Sequence, residues 1–123
     1  MLKPYSLLIV EPSLAARVVI RSQFLDLEHH LDIAWNFESA IEYITFKLYD
    51  LILIDITLNE RRSLFHQIKK NSLISNEAPI MGLSSQEDYV LIEKKKERVF
   101  RKPFTKADVI KIIEFLDNLK RNT

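Results

Sequence analysis

The sequence predicts an α/β domain in which a strand followed by a helix is repeated five times around a parallel sheet. Three observations carry that prediction. Short, almost wholly apolar runs recur along the chain: YSLLIV at 5–10, LILI at 51–54 and PIMGL at 79–83. Strands lacking polar alternation are buried on both faces, as in parallel sheets. Segments with helical spacing of apolar residues lie between these runs. The connections are short, so the crossovers are right-handed and helices cover both faces.

Taken in order, Tyr5 to Val10 is the first strand, broken by Glu11-Pro12-Ser13. Ser13 is the expected N-cap of a helix from Leu14 to about Leu27. Its apolar positions Leu14, Val18, Ile20, Leu25 and Leu27 leave Arg17 and Arg21 on a wetter face. Asp32 to Trp35 reads as a short second strand. Glu38 to about Leu48 reads as a helix with Ala40, Ile41, Ile44 and Leu48 inward. Leu51 to Ile54 is the clearest strand and runs into Asp55. A helix over 63–70 follows, then a strand over Pro79 to Leu83 ending in Ser84-Ser85. A charged helix over 87–96 and a short strand at Val99-Phe100 lead to Lys102-Pro103. Thr105 opens the last helix, and Thr105 with Asp108 forms a capping-box pattern with Asp in the usual Glu position. Val109, Ile110, Ile112, Ile113, Leu116 and Leu119 supply its inward side.

The 123 residues suit one domain over 1–123 with a real core. The hydrophobic share of 47% and charged share of 28% exclude disorder. A formal net charge of +1 gives no electrostatic pull toward nucleic acid or an anionic membrane. The absence of cysteine excludes disulfides, thiol catalysis and thiolate metal sites, and suits a cytoplasmic protein. No apolar run is long enough for a signal peptide or a spanning helix. Only one glycine is present, Gly82. Turns that need positive φ therefore fall to asparagine, with Asn36, Asn59, Asn71, Asn76 and Asn118 as candidates.

In open parallel sheets, functional groups gather beyond the carboxyl ends of the strands. That rule selects Glu11, Asp55, Ser84 and Lys102. Each has an ordinary reading alone: Asp opens loops, Ser ends strands. Lys102 is more pointed, because Pro103 biases it toward extended backbone and also admits a cis peptide bond. Together, a carboxylate, a hydroxyl and an ammonium form a small polar pocket. A phosphoryl group on Asp55 would find there a hydroxyl donor and a positive charge. Phosphoryl transfer asks mainly for positioning and charge neutralisation, completed as a rule by a divalent cation.

These segments resemble the receiver domain of two-component response regulators, the CheY-like family. The resemblance rests on LLIVEPS at 7–13, YDLILIDI at 49–56, APIMGLSS at 78–85 and RKPFTKADV at 101–109. They keep the family order over nearly the whole chain. APIMGLSS and KPFTKADVI look most like receivers attached to hybrid histidine kinases. The resemblance implies a flavodoxin-like (βα)5 three-layer sandwich with a five-stranded parallel sheet. It implies that Asp55 is the phosphoacceptor, served by a phosphohistidine of a histidine kinase or histidine phosphotransfer protein. It further implies that Lys102 contacts the phosphoryl group and that Ser84 swings to bond it. Glu11, Asp55 and the Thr57 backbone carbonyl would hold Mg²⁺. At most such a domain assists its own phosphorylation and dephosphorylation; it is not an enzyme.

The sequence departs from the family at several points. Pro12 stands where the family places the acid that binds Mg²⁺ directly, and proline offers no side-chain ligand. Mg²⁺ demands a near-octahedral oxygen shell at about 2.0–2.1 Å, so binding is expected to be weak or absent. Asn59 and Ser63 replace the usual proline and glycine of the loop after Asp55. The segments before Ile68 and between Ser84 and Lys102 are short. Val99 takes the place of an aromatic coupled to Ser84, and Phe100 should face the other side by strand alternation.

The basic residues Lys94, Lys95, Lys96, Arg98, Arg101 and Lys106 are diluted by Glu93, Glu97 and Asp108, and read as a solvated face. No recognition motif accompanies them, so nucleic acid is not expected as a partner. His29, His30 and His66 lack metal-ligand companions and read as surface or boundary residues. Trp35 and Phe37 flank the end of the second strand as packing residues; if exposed, an aromatic there would mark a contact site. The expected partners are the phosphohistidine donor and a second copy packed through the face of the last helices. The competing reading is a degenerate receiver that works as an interaction or dimerisation module without phosphorylation. A flavodoxin-like enzyme is disfavoured by the lack of a glycine-rich phosphate loop and of a cysteine nucleophile.

Overall fold

The structure, a computed structural model, describes residues 4–55, 78–85 and 99–121. Its strands are β1 (Ser6–Val10), β2 (His30–Ala34), β3 (Leu51–Asp55), β4 (Ile80–Ser84) and β5 (Val99–Arg101). Its helices are α1 (Leu14–Phe24), α2 (Phe37–Phe46) and α3 (Lys106–Arg121). The strands form one parallel sheet in the order β2-β1-β3-β4-β5. The helices expected over 63–70 and 87–96, together with Thr57, Asn59, Ser63, Asn71, Asn76 and His66, lie outside the described residues.

Alternation along the strands divides the core in two. Leu7, Ile9, Leu51, Leu53, Met81 and Leu83 point to the face covered by α1 and α3. Leu8, Val10, Ile52, Ile54 and Ala34 point to the face covered by α2. Each fully buried Leu or Ile is worth about 1.5–3 kcal/mol relative to exposure, and these inner strands are buried along most of their length. Phe104, just before α3, stacks on Phe24 of α1 at 6.0 Å and meets Phe100 edge-on, also at 6.0 Å. Phe100 thus packs into the α1 and α3 side of the core, as strand alternation requires.

The helix starts follow their caps. Ser13 Oγ accepts from the Ala16 N–H at 3.3 Å. Thr105 and Asp108 bond reciprocally at 2.9 and 3.2 Å. Asn36 is not a positive-φ turn residue: it lies at φ −151°, extended, and caps α2 through the Ser39 N–H at 2.8 Å. Asn118 lies within α3, and Gly82 sits inside β4 without positive φ.

Several boundaries and facings differ from expectation. α1 stops at Phe24, and its buried residues are Ile20 and Phe24. Leu14, Val18 and Leu25 are exposed, because the stripe that meets the sheet is narrower than the spread of apolar residues. Leu48 lies past the end of α2, and Leu48, Ile110 and Leu119 are likewise exposed. β2 runs over His30–Ala34, which leaves Trp35 outside the ladder and 59% exposed. Phe37 packs against the α2-side core. No helix among the described residues is long and apolar enough to cross a membrane.

Candidate functional site

Three strand ends build the site. Glu11 follows β1, and its N–H continues the ladder by donating to Ala34 O at 2.9 Å. Its side chain is wholly buried. Asp55 closes β3 and is 3% exposed. Lys102 follows β5, and its N–H donates to Ser84 O at 2.9 Å, so the extended backbone carries one residue past the strand. The Lys102-Pro103 bond is cis. This placement aims the Lys102 ammonium between the two acids. Nζ donates to Asp55 Oδ2 and lies 2.7 Å from Glu11 Oε1.

The two contacts differ in kind. Glu11 Oε2 accepts from the Ser13 N–H at 2.9 Å, but Oε1 has no hydrogen-bond partner among the described residues. Its closeness to Lys102 is an ion pair without hydrogen-bond alignment. Burial raises the Glu11 pKa, the Lys102 contact and the Ser13 N–H pull it back, and the Asp55 charge raises it further; the net shift is upward. For Lys102, burial disfavours the ammonium, yet its contacts with the Asp55 and Glu11 carboxylates outweigh burial and hold the pKa above the usual lysine value. Both acids therefore share one cation.

Ser84 is also buried at the end of β4, one position beyond Leu83, which pairs with Asp55. Its Oγ donates to the Ser85 carbonyl rather than to the acid pair. The fold thus brings all four selected residues to one sheet edge, with Ser84 turned into its own loop.

Arg17, read from sequence as a residue of a wetter face, reaches back to this loop. Its Nη1 donates to Glu11 O at 3.0 Å and Pro12 O at 2.9 Å. Position 17 is one helical turn beyond the Ser13 cap, which is the spacing that returns a long side chain over the helix start. That spacing was the available signal.

The described residues do not fit a magnesium shell. Mg²⁺ needs oxygen ligands in near-ideal octahedral geometry. Pro12 offers only its carbonyl, and that oxygen already faces the Arg17 guanidinium. The carboxylates of Glu11 and Asp55 are both engaged by Lys102. No three His, Cys, Asp or Glu side chains converge among the described residues.

No protein-family model matches the chain. The chain is 32% identical over 80 residues to the transcriptional regulatory protein DltR of Streptococcus agalactiae, in strains of serotypes III and V. The match covers 65% of this chain and 35% of those relatives, so the chain spans about a third of their length. Among solved structures, the signal receiver domain of an HD domain-containing protein from Pseudomonas fluorescens superposes with a TM-score of 0.78, at 16% identity. That likeness covers 98% of this chain and 100% of the other. A CheY-like receiver domain from Methylobacillus flagellatus gives 0.75 at 19% identity, covering 93% and 99%. The receiver domain of the sensor histidine kinase PA1611 from Pseudomonas aeruginosa, with a magnesium ion in its active-site cleft, gives 0.73 at 20% identity, covering 93% and 98%.

The chain thus has the CheY-like, flavodoxin-like fold of response-regulator receiver domains. At its acidic edge, Glu11 is followed by Pro12.

Proposed function

We propose that residues 1–123 are a single receiver module of two-component or phosphorelay signalling. Asp55 accepts a phosphoryl group from a phosphohistidine of a histidine kinase or histidine phosphotransfer protein. A carboxylate oxygen of Asp55 attacks phosphorus, the P–N bond breaks, and the imidazole leaves with its electron pair and takes up a proton. The observation that carries this reading is the buried Asp55 at a strand tip with the Lys102 ammonium bonded to it. Lys102 then neutralises the phosphoryl oxygens, and Ser84 turns from the Ser85 carbonyl to donate to one of them. The signal is a change of conformation or interface, and the module is not a conventional enzyme.

Mg²⁺ binds weakly or not at all, because Pro12 supplies no acid and Lys102 already holds Glu11 and Asp55. The same observation favours a second reading, a phosphorylation-independent interaction module. Intact-mass measurement after incubation with acetyl phosphate, with and without Mg²⁺, and with a phosphohistidine donor protein, separates the two. One added phosphoryl mass, absent from Asp55→Asn, is the expected result. No added mass under any of these conditions would leave the interaction module. A gain that depends on millimolar Mg²⁺ would overturn the metal-poor pocket.

A further inference from the structure

Most of the large hydrophobic side chains exposed among the described residues border the β2 edge of the sheet, on α1, on α2 and at Trp35 between them. Leu14, Val18 and Leu25 of α1 and the loop after it are 60–72% exposed, Trp35 is 59% exposed, and Phe46 of α2 is 79% exposed. They line two open grooves that share one wall, the Trp35 ring. The groove toward α1 has a volume of about 520 Å³, an apolar floor completed by Ile33, and two arginines, Arg17 and Arg21. The groove toward α2 is lined by Ser39, Tyr43 and Phe46, with Glu42 at its side. Glu38, one turn before Glu42, is exposed too. Lys47 also lines this second groove, but its ammonium is paired with Asp32 at 2.7 Å. One groove is thus basic and its neighbour acidic, with a tryptophan between them.

We propose that this face is a self-association surface, on which two copies of the chain pack about a two-fold axis passing by Trp35. A two-fold interface is isologous: a feature on one side of the axis meets the feature from the other side of the second copy. The rotation therefore lays the arginine groove of each copy over the glutamate groove of the other and brings the two Trp35 rings together at the centre. The charge pattern favours this occupant over a foreign helix, since a partner complementary to one groove alone would leave the other groove's charges unmatched. A desolvated central tryptophan ringed by charged pairs is the arrangement that dominates interface energy. The face is separate from the outer side of α3, where Ile110 and Leu119 are exposed. It does not depend on the chemistry assigned to Asp55.

Sedimentation velocity of the full chain over a rising concentration series tests it. The expected result is a mass rising from one chain to two. Trp35 is the only tryptophan, so its emission should shift to the blue as the dimer forms. Trp35→Ala should weaken association at least about 30-fold, the loss typical of a central anchor. Arg21→Glu should weaken it about tenfold, and adding Glu42→Arg should restore it. Far-UV circular dichroism of each variant confirms that it folds. A chain that stays monomeric at all concentrations would overturn the proposal. So would a dimer indifferent to Trp35→Ala and the charge swap but abolished by Ile110→Glu, which would place the contact on α3.

Discussion

On the edge strand, Asp32 meets Lys47 and Tyr49, while at the carboxyl end of the sheet Glu11 and Asp55 meet Lys102. Both clusters join carboxylates to a lysine, but the balance of donors and charges is reversed. Asp32 Oδ2 accepts from Lys47 Nζ and from the Tyr49 hydroxyl, each at 2.7 Å. Burial pushes the Asp32 pKa up, the two donors more than offset it, and the carboxyl ends below its ordinary value. One acid with two donors is a closed arrangement that favours the folded state. Glu11 and Asp55 instead both contact the Lys102 ammonium, and Glu11 ends above its ordinary value. Titratable groups displaced against stability are characteristic of sites kept for chemistry. The comparison separates a stabilising cluster from a poised one within the same small domain.

The largest effect should come from breaking the poised cluster at its cation. Lys102→Met takes away the ammonium that both buried acids contact, and urea unfolding at neutral pH should show a loss of about 2–3 kcal/mol. The loss should shrink as pH falls and Glu11 takes up a proton. A change below about 0.5 kcal/mol, the range of ordinary surface substitutions, would mean that Lys102 is not the ion-pair partner seen here. The converse change sharpens the contrast. Because Glu11 has a raised folded pKa, its ionisation opposes folding as pH climbs from the usual carboxylate range through that raised value. Glu11→Gln keeps an acceptor for the Ser13 N–H and should raise stability at pH 7 by about 1 kcal/mol, an advantage that disappears near pH 4. Lower stability at neutral pH would show that the ion pair outweighs burial.

The two clusters were unequally legible in the sequence. LILID announces a buried strand carrying an acid to its tip, and a lysine before proline announces an extended residue at a sheet edge. Both signals are local, and the strand-end rule joins them. Asp32, Lys47 and Tyr49 come from β2 and from the turn after α2, separated by 15 and 17 residues, and no local pattern links them. The strand-end rule selects Glu11 as well, and the resemblance makes it a metal ligand; its pairing with Lys102 depends on where β1 and β5 lie in the sheet order. The misreading of Leu14 and Val18 has a related cause. Helical spacing finds more than one apolar stripe on α1, and only the sheet decides which one is buried. His29 is a half-buried boundary residue, in line with its sequence reading, but no local pattern shows that its Nδ1 accepts from the Tyr5 N–H at 2.9 Å and that its ring stacks on Tyr5. That contact too spans distant parts of the chain.

Tyr49→Phe should cost about 1 kcal/mol, because it removes one of the two donors on Asp32 and keeps the buried ring. The sign of its pH dependence is opposite to that of Glu11→Gln. A depressed carboxyl contributes stability above its unfolded value and loses it as pH falls through the lower folded value. The difference between wild type and Tyr49→Phe should therefore narrow in acid. A gap that widened on acidification would mean that the hydroxyl does not stabilise the ionised Asp32.

Lys47→Met is expected to matter least, and its smallness sharpens the contrast with Lys102. The Lys47 side chain is 55% exposed, so water screens its attraction to Asp32 and it retains much rotamer freedom to lose. Exposed pairs of this kind are worth about 0–1 kcal/mol, and high salt should erase most of what remains. Lys102 is 23% exposed and faces two acids that are almost wholly buried. Salt should barely reach them. Unfolding free energies of Lys47→Met and Lys102→Met measured in low and high salt should diverge accordingly: the first deficit fades with salt and the second persists. Equal deficits with equal salt response would dissolve the distinction between the two clusters, because it rests on burial setting the strength of each charge pair.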